Sequence, residues 1–136
     1  MNRDIEKKKE HPARVITSTD RKVFAGAEKL MRTDRLFTDP TLNLASMSAM
    51  LGVNRETLSR AVNLLTGSNF THYVNSFRVE EAKQLLKENL YHKNAIKISA
   101  GCGFMTPTTF YRAFKMITGT SPGEYLTHLK MNKHKK

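Results

Sequence analysis

Apolar residues recur along this 136-residue chain at spacings of three and four, with short polar or glycine-containing breaks between them. This period is typical of amphipathic α-helices, in which one face packs on a core. It predicts helices over residues 21–34, 44–51, 55–65 and about 70–88, then one from Ala95 to Gly103, one opened by Thr106-Pro107 and a last short one opened by Ser121-Pro122. Alternation with a period of two is absent from the sequence, so the chain is predicted to be all-α with about seven helices.

Polar residues and glycines stand where these helices would begin and end. The expected N-caps are Asp20 or Thr19, Asn43, Asn54 and Thr106, and the expected helix-ending glycines are Gly52, Gly67, Gly103 and Gly119. Seven apolar residues of the long helix are interpreted as one continuous stripe, made of Phe70, Tyr73, Val74, Phe77, Ala82, Leu85 and Leu86.

One segment of the chain occurs twice. Residues 58–62 (LSRAV), followed by a Thr-Gly pair, are matched 52 positions later by residues 110–114 (FYRAF), again followed by Thr-Gly. An apolar helix, a glycine turn and an arginine-bearing helix precede each Thr-Gly pair, which is the pattern of a helix-turn-helix. The predicted helix between the two copies is nearly 30 Å long at about 1.5 Å per residue. It could hold two recognition helices about 34 Å apart, one turn of B-DNA, so a monomer would read a non-palindromic site.

Charge and cysteine content narrow the possible partners and the compartment. The formal net charge is +11 and the pI is about 10.0, which favours a polyanionic partner but also fits a basic protein without one. Cys102 is the only cysteine, so an intrachain disulfide is excluded and a cytoplasmic, reducing compartment is expected. The sequence has no apolar run long enough to span a membrane and no signal-peptide pattern, so no membrane contact is expected.

Composition shifts divide the chain into five parts. We expect a flexible arm or linker over 1–18, a first helix-turn-helix unit over 19–69, a connecting helix over 70–89, a second unit over 90–128 and a basic, disordered tail over about 129–136.

The faces left free by core packing carry the candidate DNA contacts. The predicted base-reading residues are Arg55, Glu56, Ser59 and Arg60 in the first unit and Thr108, Thr109 and Arg112 in the second, and the predicted phosphate contacts are Asn54, Thr106 and Lys115. Arginine matches guanine O6 and N7 with two hydrogen bonds, and hydroxyls bond bases or phosphates. Glu56 could accept a hydrogen bond from cytosine N4 or stay solvated away from the phosphates.

Other chemistry finds little support in the sequence. The histidines lack metal-ligand spacing, and adjacent Glu80 and Glu81 fit a solvated helix face better than an acid–base pair. Cys102 is expected to be a buried small hydrophobe, and Met47, Met50, Met105 and Met116 are expected in the core or at its rim. We therefore expect no catalytic residues, no bound metal, no cofactor and no small-molecule effector.

The motifs LSRAV…TG…NFTHYVNSFRVEEAKQLL and IKISAGCGF…TTFYRAFKMITGTSPGEYL resemble the DNA-binding domain of AraC/XylS transcription regulators, over about residues 21–128. The resemblance implies seven helices in two homeodomain-like, three-helix units joined by a connecting helix. It places the family's base-reading positions on the residues named above, except that Pro107 stands where relatives often carry a polar reader. It also implies RNA polymerase as a second partner.

The leading hypothesis is a sequence-specific regulator of transcription, acting as an activator on double-stranded DNA. Two alternatives stay open: a general basic nucleic-acid binder, and a protein-interaction module at the output end of a longer sensor protein. The chain has no room for a ligand-sensing domain, so it is expected to be either a stand-alone regulator or part of a longer chain.

Overall fold

The computed structural model describes residues 15–89 and 95–134. This part of the chain contains seven α-helices, one 3₁₀ turn at Leu36–Thr38 and no β-strand. We number the helices α1 (Ser18–Arg32), α2 (Leu44–Leu51), α3 (Arg55–Thr66), α4 (Phe70–Glu88), α5 (Ala95–Gly101), α6 (Pro107–Thr118) and α7 (Pro122–His134). The predicted fold class is confirmed.

Local capping explains most helix boundaries. Asn43, Asn54 and Thr106 each accept a hydrogen bond from the backbone N–H three residues on, as predicted. The N-cap prediction for the first helix is wrong, because the cap is Thr17. Its side chain accepts from the Asp20 backbone N–H while the Asp20 carboxylate accepts from the Thr17 N–H, a reciprocal capping box that starts α1 at Ser18.

The long helix α4 is shared by two separate cores. Its first turns join the core of α1, α2 and α3, where Phe70, Tyr73 and Val74 are buried, and its later turns bury Val79, Ala82 and Leu86 against α5, α6 and α7. The prediction of one continuous apolar stripe is therefore wrong. At 3.6 residues per turn the two buried sets lie roughly 160° apart around the helix, so each set faces a different unit.

The two units also touch directly through the residues we call the inter-unit clamp: Phe37, Asp39, Arg78 and Gly103. Arg78 Nε donates to the Phe37 carbonyl at 2.7 Å and its Nη2 donates to the Asp39 carbonyl at 2.9 Å. Gly103 packs so closely on this turn that a Cβ built on it would lie 2.1 Å from the Phe37 carbonyl oxygen. Nearby, Arg35 and Glu81 form an ion pair at 2.8 Å. These contacts tie the second helix-turn-helix to the loop of the first.

The chain ends differ from the prediction. The tail predicted over about 129–136 is helical as far as His134, because α7 continues to that residue. Of the arm predicted over 1–18, Thr17 and Ser18 belong to the cap and first turn of α1. Residues 1–14, 90–94 and 135–136 and the side chains of Ala95 and His134 lie outside the described residues. Within the described residues, no helix combines the length and apolar character needed to cross a membrane.

Candidate nucleic-acid interface

Helix α3 presents a polar face because its other face is fully packed. Leu58, Ala61 and Val62 are buried in the first core. The opposite face lines one open surface groove with Arg55, Glu56, Ser59, Arg60 and Asn63. The structure therefore brings together all four predicted base-reading residues of the first unit.

Helix α6 has the same construction. Phe110, Ala113 and Phe114 are buried in the second core. Its outer face is exposed and, unlike that of α3, partly apolar. The exposed residues are Thr108, Thr109, Tyr111, Arg112, Lys115 and Met116. Pro107 occupies the first helical position, where its missing N–H leaves no hydrogen bond unmade.

The two polar faces border a common strip at the start of α4. Asn69, Thr71 and Asn75 line a groove together with Ser59 of α3, and the same three residues line a second groove together with Arg112 of α6. The recognition helices therefore open toward neighbouring parts of one surface. Sequence reasoning missed this strip, although its positions 71 and 75 continue the face of α4 that meets the second core.

The two matched arginines have different surroundings. Arg60 Nε donates to the carboxylate of Asp20 at 3.2 Å, and Arg60 Nη2 donates to the Val15 carbonyl at 2.9 Å. The Asp20 side chain is 3% exposed and that of Arg60 is 39% exposed. Arg112 is exposed and has no hydrogen bond or ion pair with another described residue. The two arginines stand at matched positions of the repeat, but only Arg60 is held by other described residues.

Thr17 at the start of α1 and Arg60 on α3 both lower the pKa of Asp20. The Thr17 backbone N–H is the largest cause that lowers the pKa of Asp20, and Arg60 adds to it, whereas burial opposes both. Asp20 is therefore a carboxylate at neutral pH, and its charge offsets that of Arg60.

The helix caps use some of the predicted DNA contacts. The side-chain oxygen Oδ1 of Asn54 accepts from the Thr57 backbone N–H and hydroxyl, at 2.8 and 2.7 Å. The Thr109 hydroxyl donates to the Thr106 carbonyl at 2.8 Å, and Thr106 Oγ1 accepts from the Thr109 N–H at 3.2 Å. These side chains order the starts of the recognition helices, and the Thr109 hydroxyl proton is committed within the chain.

The 52-residue offset identifies a position that the sequence analysis overlooked. Carried along α6, the offset places Tyr111 opposite Ser59, and Thr109 opposite Thr57, which donates to the cap residue Asn54. Tyr111 is 39% exposed. It was not among the predicted base-reading residues, although the repeat itself already placed it on the free face.

The other residues considered as candidates from the sequence are accounted for by burial, exposure or ion pairing. Cys102 is buried, as predicted, and burial raises the pKa of its thiol to about 12. Met47 is in the core, whereas Met50, Met105 and Met116 are exposed. Glu80 pairs with Lys83 at 3.0 Å. No cluster of three or more potential metal ligands occurs among the residues that the structure describes.

A family described as a helix-turn-helix domain matches residues 47–128, from α2 through most of α7. This range covers more than half of the chain and contains both the arginine-bearing helices and the connecting helix. The chain belongs to the AraC-type helix-turn-helix family. Members of this family are DNA-binding regulators of transcription.

Individual relatives agree with the family assignment. The AraC-type chain is 24% identical over 87 residues to the HTH-type transcriptional regulator CdhR of Pseudomonas aeruginosa, which covers 64% of this chain and 25% of the regulator. It is 26% identical over 110 residues to histidine kinase P4 of Formosa agariphila, covering 81% of this chain and 8% of the kinase. The chain thus spans a quarter or less of the length of these curated relatives.

Among solved structures, the C-terminal domain of AraT, a response regulator from Geobacillus stearothermophilus, has the same arrangement of helices. The TM-score is 0.66 at 26% sequence identity, and the match covers 83% of this chain and 87% of the solved domain. The AraC-type fold of two helix-turn-helix units on a shared helix therefore extends over nearly all described residues.

Proposed function

We propose that this chain binds a specific double-stranded DNA site as a monomer, inserts α3 and α6 into successive major grooves, and activates transcription in the bacterial cytoplasm. One observation carries the proposal: each recognition helix has one arginine at a matched position of its polar face, and Ser59 of α3 and Arg112 of α6 border the same strip at the start of α4. An α-helix fits the major groove, and two such helices on one side of a protein suit one side of a duplex.

Phosphate attraction supplies most of the affinity in this proposal. The formal net charge of +11 gives a strong and salt-sensitive interaction with any duplex. Asn54, Thr106 and Lys115 stand at or near the exposed ends of the recognition helices, and the strip residues Thr71 and Asn75 face the backbone between the two grooves. These contacts position the protein without selecting a sequence.

Base selection is assigned to the two free faces. In the first unit the proposed readers are Arg55, Glu56, Ser59 and Arg60, with Glu56 accepting from cytosine N4. In the second unit Arg112 reads guanine, with Thr108 and Thr109 beside it, and Tyr111 joins the set because it is exposed opposite Ser59. The two sets differ in chemistry, so the operator is expected to lack mirror symmetry.

A second candidate, an output module of a longer sensor or regulator, is favoured by one comparison. The chain matches only 8% and 25% of the lengths of its two curated relatives, one of them a histidine kinase. In this form the DNA-binding surface is unchanged, and contacts with RNA polymerase or with a sensor domain are added elsewhere.

The decisive experiment is in vitro selection of duplexes from a random pool, followed by binding measurements on the selected site. For Arg112→Ala we expect affinity for that site to fall by about 5–150-fold, the range for one bidentate base contact. Affinity for random duplexes should fall only slightly, by no more than the loss of one phosphate contact would cause.

Lys87→Ala is the matched control, since it removes the same charge from an exposed position near the far end of α4. It should weaken both kinds of binding slightly and equally. Recovery of no consensus would instead favour a general nucleic-acid binder. Equal losses on the selected and random sites for Arg112→Ala would reduce Arg112 to a phosphate contact.

A further inference from the structure

A buried carboxylate supports the first recognition helix from behind. Asp20 is 2% exposed, and it lies on α1, 40 residues before its partner Arg60. One carboxylate oxygen accepts the Thr17 backbone N–H at 2.9 Å, and the other accepts Arg60 Nε at 3.2 Å. The carboxylate is therefore fixed by its own helix before it engages the arginine.

The contacts of Arg60 leave one edge of its guanidinium open. A guanidinium carries five N–H donors in a planar fork. Asp20 takes the Nε donor and the Val15 carbonyl takes one donor of Nη2, so both bonds lie on the Nε side of the group. The end edge, formed by Nη1 and the second N–H of Nη2, has no hydrogen bond to another described residue. It therefore offers two parallel donors, which is the arrangement that guanine O6 and N7 accept.

We propose that Asp20 is a positioning residue that holds Arg60 in a base-reading orientation before DNA arrives. This inference rests on the proposed function of Arg60 and adds a residue outside the recognition helix to it. An unrestrained arginine loses rotamer freedom when it reads a base, whereas Arg60 has already lost much of that freedom in the free protein. A held fork also tolerates a misplaced acceptor less well, so Asp20 sharpens discrimination at one base pair.

The second unit offers an internal comparison. Matching the buried Ala27 and Met31 of α1 with the buried Ala82 and Leu86 of α4 places Asn75 where Asp20 stands in the first unit. Asn75 lines the same groove as Arg112. Its amide is neutral and does not form an ion pair, so Arg112 keeps its full charge and its rotamer freedom. The chain thus contains a supported arginine and an unsupported one at matched positions.

The test uses the full chain and the site selected by the wild type. Asp20→Asn should lower the preference for guanine at the Arg60 base pair by about tenfold, the order that one bidentate contact supplies. Discrimination in the half-site of α6 should stay within about twofold of the wild type. Thr17→Ala is the matched control, because it removes the hydroxyl that caps α1 and leaves the carboxylate on Arg60.

Asn75→Asp keeps the proposal testable if Asp20→Asn fails to fold, as judged by circular dichroism. It should raise base discrimination at the Arg112 position severalfold, while its added negative charge beside the phosphates lowers affinity for selected and random duplexes alike. The proposal is overturned if Asp20→Asn folds and keeps wild-type discrimination, if Thr17→Ala loses as much, or if Asn75→Asp has no effect. A wild-type chain that selects no consensus sinks the proposed function itself, whereas a consensus that Asp20→Asn does not alter sinks only this inference.

Discussion

Replacing Gly103 by alanine tests whether the inter-unit clamp holds the two reading units together. Gly103 has a φ of +98°, a region that side chains disfavour, and its added Cβ would lie 2.1 Å from the Phe37 carbonyl oxygen and 2.9 Å from Arg78 Nε. An ordinary contact at this place would need about 1 Å more, so either the turn of the second unit or the loop of the first must move.

The expected loss of stability has three sources. The positive φ costs about 1–2 kcal/mol for a residue with a Cβ. Overpacking of a tight contact costs about 1–3 kcal/mol, and a weakened bond from Arg78 to the Phe37 carbonyl adds up to about 1.5 kcal/mol. We expect about 3–5 kcal/mol in all, which lowers the Tm of a domain of this size by roughly 10–20 °C.

Gly119→Ala separates conformational strain from the clash. Gly119 has a φ of +85°, but nothing lies within 4 Å of its added Cβ. This variant should lose only the conformational share, about 1–2 kcal/mol. Thermal unfolding followed by circular dichroism measures both. If the two variants are destabilised equally, the close approach of Gly103 to Phe37 does not contribute, and the reasoning about the clamp is wrong.

Two further predictions concern the second core. Phe114 is fully buried there, so Phe114→Ala should lower the free energy of unfolding by about 3–5 kcal/mol. Hydrogen exchange should accelerate in α5, α6 and α7 more than in α2 and α3. Uniform acceleration would contradict the presence of two separate cores. Because burial raises the pKa of Cys102 to about 12, its reactive thiolate is scarce at pH 8. Native protein should therefore react with iodoacetamide far more slowly than the unfolded chain at the same pH, and equal rates would show that the thiol is accessible.

The helices were predicted most accurately where a few neighbouring residues determine where they begin and end. The bounds of α2 were predicted correctly because Asn43 and Gly52 supply a cap and a turn within the segment itself. The repeat located both recognition helices, since their buried positions follow helical periodicity. At the N-cap of α1 the same reasoning failed. The expected cap was Asp20 or Thr19, whereas Thr17 is the cap and Asp20 is the third residue of the helix, in a reciprocal pair with it.

The positions of the candidate site were predicted from the sequence, but the differences between its two units were not. The seven proposed base-reading residues all lie on the two polar faces, since periodicity alone separates a free face from a buried one. Tyr111 was not predicted, although the 52-residue offset places it opposite Ser59. The pairing of Arg60 with Asp20 was not predicted, because the two residues lie 40 positions apart in the sequence.

The amino-acid sequence by itself determined the helices, the caps of α2, α3 and α6, the duplicated unit and the excess of positive charge, since each depends on residues within a few turns of one another or on composition. Only the tertiary structure decided that α4 serves two cores on different faces, that Gly103 meets Phe37 and that the two matched arginines differ. These features depend on contacts between segments that are far apart in the chain. Packing and electrostatics act between neighbours in space, so a local sequence pattern does not contain this information.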